Sequence, residues 1–274
     1  MRNQILPWFG SKAALAPEIL PEFGPHKAYF EPFGGGLGML LQKPACGRET
    51  VNDLHQDLTH LARVIADPIQ GAALYRRLRR ILCCEQLHRE ARERIKLPFA
   101  ATLDRAIDFF FVSWMSRMGI CGAQSSNSMA HSYGAASSSC ANKLASAIES
   151  IRSWQARLRR VTITNRDAFQ LLERIHDEAG MLIYCDPPYL QKGAEYVFDL
   201  DDAGHQRLAD AVKRFRKARV VVSYTDHPRL AELYPARQWQ KKVLSYKARE
   251  GRGAKVPKIK PPEVLLINGP FIAA

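Results

Sequence analysis

Apolar and polar positions follow three different patterns along the chain. Residues 28 to 66 begin with AYFEPF, turn through GGGLG and continue as GMLLQK and ETVNDL, which predicts strand, glycine turn, helix, strand and helix. From about residue 68 to residue 160, apolar residues recur at helical spacing with arginines between them, in LYRRLRRIL, LHREARERIK, LDRAIDFFFVSWMSRM and LASAIESIRSWQARLRR. After residue 160, RVTITN, MLIYCD, ARVVVSY and EVLLING predict buried strands, separated by the helical stretches AFQLLERI and DAGHQRLADAVKRFR.

These patterns predict an α/β protein whose sheet is interrupted by a mainly helical insertion. We expect the sheet domain to comprise residues 1–67 and 161–274, and the insertion to comprise residues 68–160. Within the insertion, GAQSSNSMAHSYGAASSSC at residues 122–140 is rich in Gly, Ser and Ala. Such a stretch buries too little apolar surface to order itself, so we interpret it as a mobile loop.

Composition narrows the class of protein. The 274 residues, of which 46% are apolar, suffice for a substantial core. Lys and Arg number 40 against 27 Asp and Glu, and the formal net charge of +13 favours a polyanionic partner such as nucleic acid. The cysteines lack zinc-site spacing, and adjacent Cys83 and Cys84 fit poorly in a disulfide framework, which indicates reduced thiols and a cytoplasmic protein. No apolar run suits a signal peptide or a membrane span, so we expect no membrane partner.

The stretch EPFGGGLG follows the first predicted strand and opens the first predicted helix. Glycines there let the backbone approach a nucleotide-like ligand, and amide groups at the start of the helix are available to it. Asp53 lies eighteen positions beyond Gly35, at the end of the next predicted strand, where a carboxylate can accept hydrogen bonds from a ribose diol. A tight turn followed by a solvated acid is the alternative. The order of strand, turn, helix and acid favours an adenosine-containing cofactor.

The run YCDPPYL, residues 184–190, continues another predicted buried strand. Asp186 and the main-chain oxygen of Pro187 form two acceptors that can hold both hydrogens of an exocyclic amine. Such acceptors draw charge toward the amine nitrogen and favour the geometry in which it attacks a methyl sulfonium. Tyr189 offers a face for the base, and a base within a duplex must be turned out of the helix to reach such a site. A proline turn that caps a core strand is the alternative.

The ordered motifs carry a resemblance to a known family. PWFGSK, EPFGGGLG, VND and DPPY occur in that order, with the helical insertion between the last two. This arrangement resembles the Dam-like, D12 class of DNA adenine-N6 methyltransferases. The resemblance implies a Rossmann-like methyltransferase sheet with an inserted, mainly helical target-recognition domain. It also implies S-adenosylmethionine as methyl donor without a metal, double-stranded DNA as partner, and a monomer in the cytoplasm of a bacterial or phage-infected cell.

The same resemblance assigns site residues. The implied cofactor-binding residues are Trp8, Gly10, Lys12, Glu31, Phe33, Gly34, Gly35, Asp53, Asp167 and Asp186. Among these, Glu31, Phe33 and Gly35 would line the methionine side of the cofactor, and Asp53 would hold the ribose. The implied catalytic residues are Asp186, Pro187, Pro188 and Tyr189.

Two positions complicate the family pattern. Asp167, in TNRDAF, is similar to the family's acidic position near the cofactor adenine, although an acid that caps the helix AFQLLERI explains it equally well. Leu37 stands where the family's Phe-x-Gly-x-Gly pattern places its last glycine, and Gly38 follows it.

Basic runs suggest a surface for DNA. RRLRR, REARERIK and RLRR fall in the insertion, and KAREGRGAKVPKIKPP precedes the last predicted strand. Such charges usually lie on helix faces that contact only solvent, and this is the alternative interpretation. Their place in an insertion expected to recognise the target favours contacts to DNA phosphates. We also expect the loop from Ser125 to Ser139 to close over the DNA.

The expected reaction is methylation of adenine N6 in duplex DNA with base flipping, and three alternatives stay open. Cytosine-N4 methylation needs the same polarised amine, although the motif order resembles the adenine group. A DNA-binding regulator without turnover could retain the fold, and Leu37 is the sequence feature in its favour. The tetrapeptide DPPY indicates that the substrate carries a planar amine, but it does not indicate the polymer to which that amine belongs. RNA or protein is therefore a further possible substrate.

Overall fold

A mixed β-sheet organises the molecule. The computed structural model describes residues 2–116, 129, 139–190, 198–244 and 261–269. Its strands are β1 (Ala28–Glu31), β2 (Arg48–Asn52), β3 (Thr162–Thr164), β4 (Met181–Cys185), β5 (Arg219–Thr225), β6 (Gln240–Val243) and β7 (Glu263–Asn268). They lie in the order β3-β2-β1-β4-β5-β7-β6. The pairs from β3 to β5 are parallel, and β7 is antiparallel to both of its neighbours.

The strand order reverses between β1 and β4. The chain runs from β1 outward to β2 and β3, and then returns to form β4 on the other side of β1. Every residue of β1 and β4 is buried, as expected of central parallel strands covered by helices on both faces. In open α/β sheets such a reversal leaves a crevice outside the carboxyl ends of the strands, where ligands bind.

Helices pack on both faces of the sheet. They are α1 (Ala16–Ile19), α2 (Gly38–Gln42), α3 (Gln56–Ala66), α4 (Pro68–Leu78), α5 (Glu85–Lys96), α6 (Leu103–Met115), α7 (Cys140–Leu158), α8 (Ala168–Arg174), α9 (Asp202–Lys213) and α10 (Leu230–Leu233). Short 3₁₀ helices span Lys12–Ala14 and Leu20–Phe23. No helix in the described ranges is both long and apolar enough to cross a membrane.

The core forms two layers because successive side chains of a strand point to opposite faces. Leu182 of β4 lies in one layer with Phe110 of α6 and Trp154 of α7. Its neighbour Ile183 lies in the other layer with Leu208 of α9. The helices of the predicted insertion therefore share a core layer with the sheet.

The α/β class with a Rossmann-like sheet is confirmed. In the described part of residues 68–160 the helices are α4 to α7, and α3 of the preceding segment contacts α4, α6 and α7. The division into a sheet domain (1–67 and 161–274) and a target-recognition insertion (68–160) stays a prediction.

The predicted strands are all present, and the differences lie at edges and ends. The sequence pattern did not predict β6, because QKKV is a short, largely exposed strand without apolar alternation. The helix expected from residue 103 ends at Met115. The predicted mobile loop lies outside the described residues except for Met129, Ser139 and Cys140, and Cys140 already begins α7. Most of the last basic run, from residue 247 to residue 260, also lies outside them.

Candidate active site

A crevice of about 200 Å³ opens at the carboxyl ends of β1, β2 and β4, where the strand order reverses. Predicted site residues from five separate segments meet in it. Those that line it are Trp8, Gly10, Lys12, Glu31, Phe33, Gly34, Gly35, Asp53, Asp167, Asp186, Pro187 and Pro188. Of the residues assigned from the sequence, Tyr189 does not line the crevice.

The glycine turn that follows β1 is shaped by close packing. Gly35 has a φ of 48°, in the left-handed region that favours glycine. A Cβ atom at Gly35 would lie 2.7 Å from Cδ1 of Trp8, so the indole ring and a side chain cannot share this space. Trp8 thus packs directly on the turn, and this contact places the amino-terminal motif PWFGSK beside the glycine loop.

Asp53 joins the glycine turn to the end of β2. The Gly35 amide donates to its Oδ2 at 2.8 Å, and the His55 amide donates to its Oδ1 at 2.9 Å. Burial raises the pKa of the Asp53 carboxyl, and these backbone hydrogen bonds oppose the rise. The two hydrogen bonds fix the orientation of the carboxylate in the crevice wall, and its contact with a ribose diol stays a prediction.

Glu31, the last residue of β1, is a buried acid with an unusual pKa. The Tyr29 hydroxyl donates to its Oε2 at 2.9 Å. Burial raises the pKa of Glu31 to about 8, although the hydrogen bond from Tyr29 lowers it, and the nearby charge of Asp186 raises it further. With this pKa the carboxyl is mostly protonated at neutral pH.

Asp186 follows β4 directly and is held from two sides. The Ser223 hydroxyl donates to its Oδ1 at 2.8 Å. The Lys12 ammonium lies 2.9 Å from Oδ1 and 3.1 Å from Oδ2. Burial raises the pKa of the Asp186 carboxyl, whereas Lys12 and the hydrogen bond from Ser223 lower it.

Tyr189 lies behind the crevice in the second core layer. Its side chain is buried, and its hydroxyl donates to Oε2 of Glu263 at 2.5 Å. The Lys12 ammonium lies 4.6 Å from the centroid of its ring. Stacking of a base on Tyr189 stays a prediction, and it requires the ring to be uncovered.

Asp167 caps a helix and also lies in the wall of the crevice. Its Oδ1 accepts hydrogen bonds from the amides of Phe169, at 2.7 Å, and Gln170, at 3.4 Å, at the start of α8. The same residue lines the crevice. Helix capping is therefore observed, and contact with a cofactor adenine stays a prediction.

Sequence reasoning missed several residues of this site. Ser223 lies in the middle of an apolar strand and gives no motif signal. Asn52 precedes Asp53, and its side-chain amide donates to the carbonyls of Pro32 and Arg166 and so ties three loops together. Its place in the VND motif was the available signal. The crevice also has apolar lining residues to which no role was assigned: Leu54, Phe169 and Phe198.

The described residues do not form a cluster of side chains suited to bind a metal ion. Among the residues that the structure describes, no group of three or more His, Cys, Asp or Glu side chains could hold a metal ion. The polar groups that line the crevice include carboxyl groups, the ammonium of Lys12, the hydroxyl of Ser11 and the side-chain amide of Asn52.

Most of the chain matches one family of known proteins. A family model described as D12 class N6 adenine-specific DNA methyltransferase matches residues 8–250. No curated protein gives a significant match. Among solved structures, SMU.1697c from Streptococcus mutans, named as a methyltransferase and solved with SAH, is 7% identical with a TM-score of 0.42, over 94% of this chain and 97% of that chain. HI0767 from Haemophilus influenzae, named as a methylase, is 10% identical with a TM-score of 0.37, over 97% of this chain and 92% of that chain.

Proposed function

This chain belongs to the D12 class of N6 adenine-specific DNA methyltransferases, and on that premise we propose that it methylates the exocyclic N6 of adenine in duplex DNA, with the target base turned out of the helix. S-adenosylmethionine is the methyl donor. One observation carries the proposal: Asp186 shares a single crevice with the glycine turn and Asp53, at the reversal between β1 and β4. This arrangement would set an amine acceptor beside a nucleoside site.

The crevice residues fit each part of that cofactor. Glu31 is a buried acid for the cationic amino group, and Lys12 is a buried cation for the carboxylate. Asp53 would hold the ribose diol, and Leu54 and Phe169 would supply apolar contacts for the adenine ring. When bound, S-adenosylmethionine supplies a methyl carbon on a sulfonium sulfur, which leaves as a neutral thioether.

Asp186 and Pro187 would act on the target amine. The carboxylate of Asp186 and the carbonyl oxygen of Pro187 would accept its two hydrogens and stabilise the positive charge that develops on its nitrogen. Asp186 would then take up the proton that the nitrogen loses. Burial raises the pKa of this carboxyl, which makes it a better proton acceptor than an exposed aspartate. The hydroxyl of Ser223 holds Oδ1 and leaves the remaining lone pairs for the amine.

The basic helices divide into paired and unpaired arginines. Arg94 forms a bidentate pair with Asp108, and Arg157 pairs with Glu49. Within the described part of the chain, some exposed arginines have no acidic partner: Arg76, Arg80, Arg89, Arg159 and Arg160. These are the candidates for contacts to DNA phosphates.

Position along the helices favours the end of α4 as a DNA surface. Arg77, in the last turn of α4, pairs with Asp104 in the first turn of α6. The adjacent Arg105 pairs with Asp57 in the first turn of α3, which follows the carboxyl end of β2. The last turn of α4 therefore lies toward the crevice side. The last turn of α7 lies at the opposite edge, because Arg157 pairs with Glu49 near the start of β2.

The test is expression in a bacterial strain that lacks DNA methylation, followed by sequencing of the genome for modified bases. We expect N6-methyladenine at one short motif with the wild-type protein and none with the Asp186→Ala variant. Circular dichroism of the purified variant checks that it is folded. N4-methylcytosine would overturn the choice of base, and an unmodified genome with soluble wild-type protein would overturn the proposed activity.

A further inference from the structure

Lys12 is a buried cation in an unusual place. Its side chain is 3% exposed, and its ammonium contacts both carboxylate oxygens of Asp186, at 2.9 and 3.1 Å. It also donates to the carbonyl oxygen of Gly10 at 2.5 Å and lies 4.6 Å from the ring centroid of Tyr189. These contacts occupy the carboxylate of Asp186 and cover the ring of Tyr189, the two groups of DPPY that would contact a target base.

The ammonium thus occupies the position that the target amine needs. A planar amine that donates to Asp186 must approach the oxygens that Lys12 now contacts, because the Ser223 hydroxyl already donates to Oδ1. Lys12 imitates that amine, since both are nitrogen donors on the same carboxylate. The two nitrogens therefore compete for one subsite.

The reaction also requires Lys12 to leave. The attacking nitrogen becomes positively charged, and Asp186 can stabilise that charge only if its own charge is not already neutralised. An ammonium within hydrogen-bond distance of both oxygens would oppose the charge that develops. The contact seen in the structure therefore suits the state that precedes base binding and not the reacting state.

Another acceptor for Lys12 would enter from the cofactor side. Lys12 and Glu31 line the same crevice, and Glu31 ends β1 on the side assigned to the methionine moiety. That moiety carries a carboxylate beside its amino group. A lysine has a flexible four-carbon stem with rotatable donors, so its ammonium can move between two acceptors without a change in the backbone.

We propose that Lys12 is a movable counter-ion, which holds Asp186 until it exchanges that partner for the carboxylate of the cofactor and so opens the target-base subsite. This inference rests on the proposed function. It makes cofactor binding and recognition of the target amine interdependent, with Lys12 as the link. Lys12 is in this sense a positioning residue as well as a part of the cofactor pocket.

The test compares two target bases in the duplex motif that genome sequencing identifies. One duplex carries adenine at the target position, and the other carries purine, which lacks the 6-amino group. The dissociation constant of the purine duplex divided by that of the adenine duplex reports the strength of the hydrogen bond between the amine and Asp186. We expect this ratio to be near one without cofactor and to rise roughly tenfold with S-adenosylhomocysteine. A hydrogen bond to a charged group strengthens binding by about this factor.

A matched ligand isolates the carboxylate. Decarboxylated S-adenosylhomocysteine differs only in lacking that group, and we expect the purine-to-adenine ratio to stay near one in its presence. Equal ratios with the two ligands would overturn the exchange of partners, as would a high ratio without any ligand. This arm needs only the wild-type protein, and methylated genomic DNA will already have established the activity.

Variants locate the link. Lys12→Met should abolish the difference between the two ligands, whereas Lys213→Met, which removes an equal charge from the surface of α9, should preserve it. A Lys12→Met protein that still responds to the carboxylate would exclude Lys12 as the coupling residue. If Lys12→Met does not fold, the comparison of the two ligands on the wild-type protein still decides the proposal.

Discussion

Leu37 shows how a single residue can depart from a glycine motif and keep its turn. It has φ 58° and ψ 29°, and among the described residues it is the non-glycine residue with positive φ. Its amide still donates to the carbonyl of Gly34 at 2.9 Å. The left-handed backbone costs about 1–2 kcal/mol, and full burial of a leucine side chain returns a similar amount or more. The departure therefore exchanges backbone strain for core packing.

Two substitutions at this position should separate strain from packing. Leu37→Ala and Leu37→Gly both remove the buried side chain, at a cost of about 2–5 kcal/mol. Glycine also relieves the left-handed strain, so Leu37→Gly should be more stable than Leu37→Ala by about 1 kcal/mol, the reverse of the usual order. Urea denaturation measures both. At Leu40, which is buried within α2, we expect the normal order, with alanine the more stable. The same order at both positions would exclude strain at Leu37.

Glu31 predicts a pH effect on cofactor binding. With a pKa of about 8 in the folded protein, its carboxyl carries a proton at neutral pH. Pairing with a cationic amino group requires the carboxylate, so binding should release a proton below pH 8 and none well above it. Calorimetric titration with S-adenosylhomocysteine at pH 7, in buffers of different ionisation enthalpy, should report release of about one proton. Glu31→Gln should remove the release, and an undiminished release in that variant would assign the proton elsewhere.

The motifs could place the acids of the site but not their partners. Glu31, Asp53 and Asp186 each follow or end an apolar run, and carboxyl ends of parallel strands share one edge of a sheet. Ser223 could not be found this way. It meets Asp186 because the register pairs Cys185 with Val222, so the next residues of the two strands lie side by side. Likewise, the sequence does not determine that Tyr189 turns toward Glu263.

At the level of elements, an ion cluster fixes α7 against the sheet. Glu49 of β2 accepts from Lys43 and from Arg157 of α7, and the side chains of Glu49 and Lys43 are 1% and 0% exposed. Apolar periodicity predicted both elements. It could not predict this connection, because the pairing depends on how α7 lies over β2. Arg157, one of the arginines in the basic run RLRR, therefore stabilises the packing of α7 on the sheet.

Neutralising Glu49 should release this connection. Glu49→Gln keeps the shape of the side chain but leaves two cations without a counter-charge, one of them fully buried, and we expect a loss of about 3–5 kcal/mol in the free energy of unfolding. Urea denaturation provides the measurement. Glu93→Gln is the control, because Glu93 pairs with Lys96 on the exposed face of α5 and should leave stability unchanged. Equal effects of the two variants would show that the buried cluster contributes nothing special.

For the molecule as a whole, net charge predicts a polyanionic partner but not the face that it contacts. The +13 charge is spread over the chain, and part of it is neutralised locally, as the pairs of Arg94 and Arg157 show. Four of the unpaired arginines lie at opposite edges of the sheet, two near the carboxyl ends of its parallel strands and two near their amino ends. Arg76 and Arg80 belong to the crevice side, whereas Arg159 and Arg160 follow Arg157 at the opposite edge.

This division predicts which arginines bind DNA. A protein that neutralises fewer phosphates releases fewer counterions, so the slope of log K against log salt should become shallower by about 0.9 for each phosphate that an arginine no longer neutralises. We expect the Arg76→Gln, Arg80→Gln double variant to bind duplex DNA more weakly and with a shallower slope, as measured by fluorescence anisotropy across a salt series. The Arg159→Gln, Arg160→Gln double variant removes the same charge from the far edge and should retain the wild-type slope. Equal slopes for the two double variants would show that DNA senses only the total charge of the protein, and weaker binding confined to the second would place the DNA on the side away from Asp186.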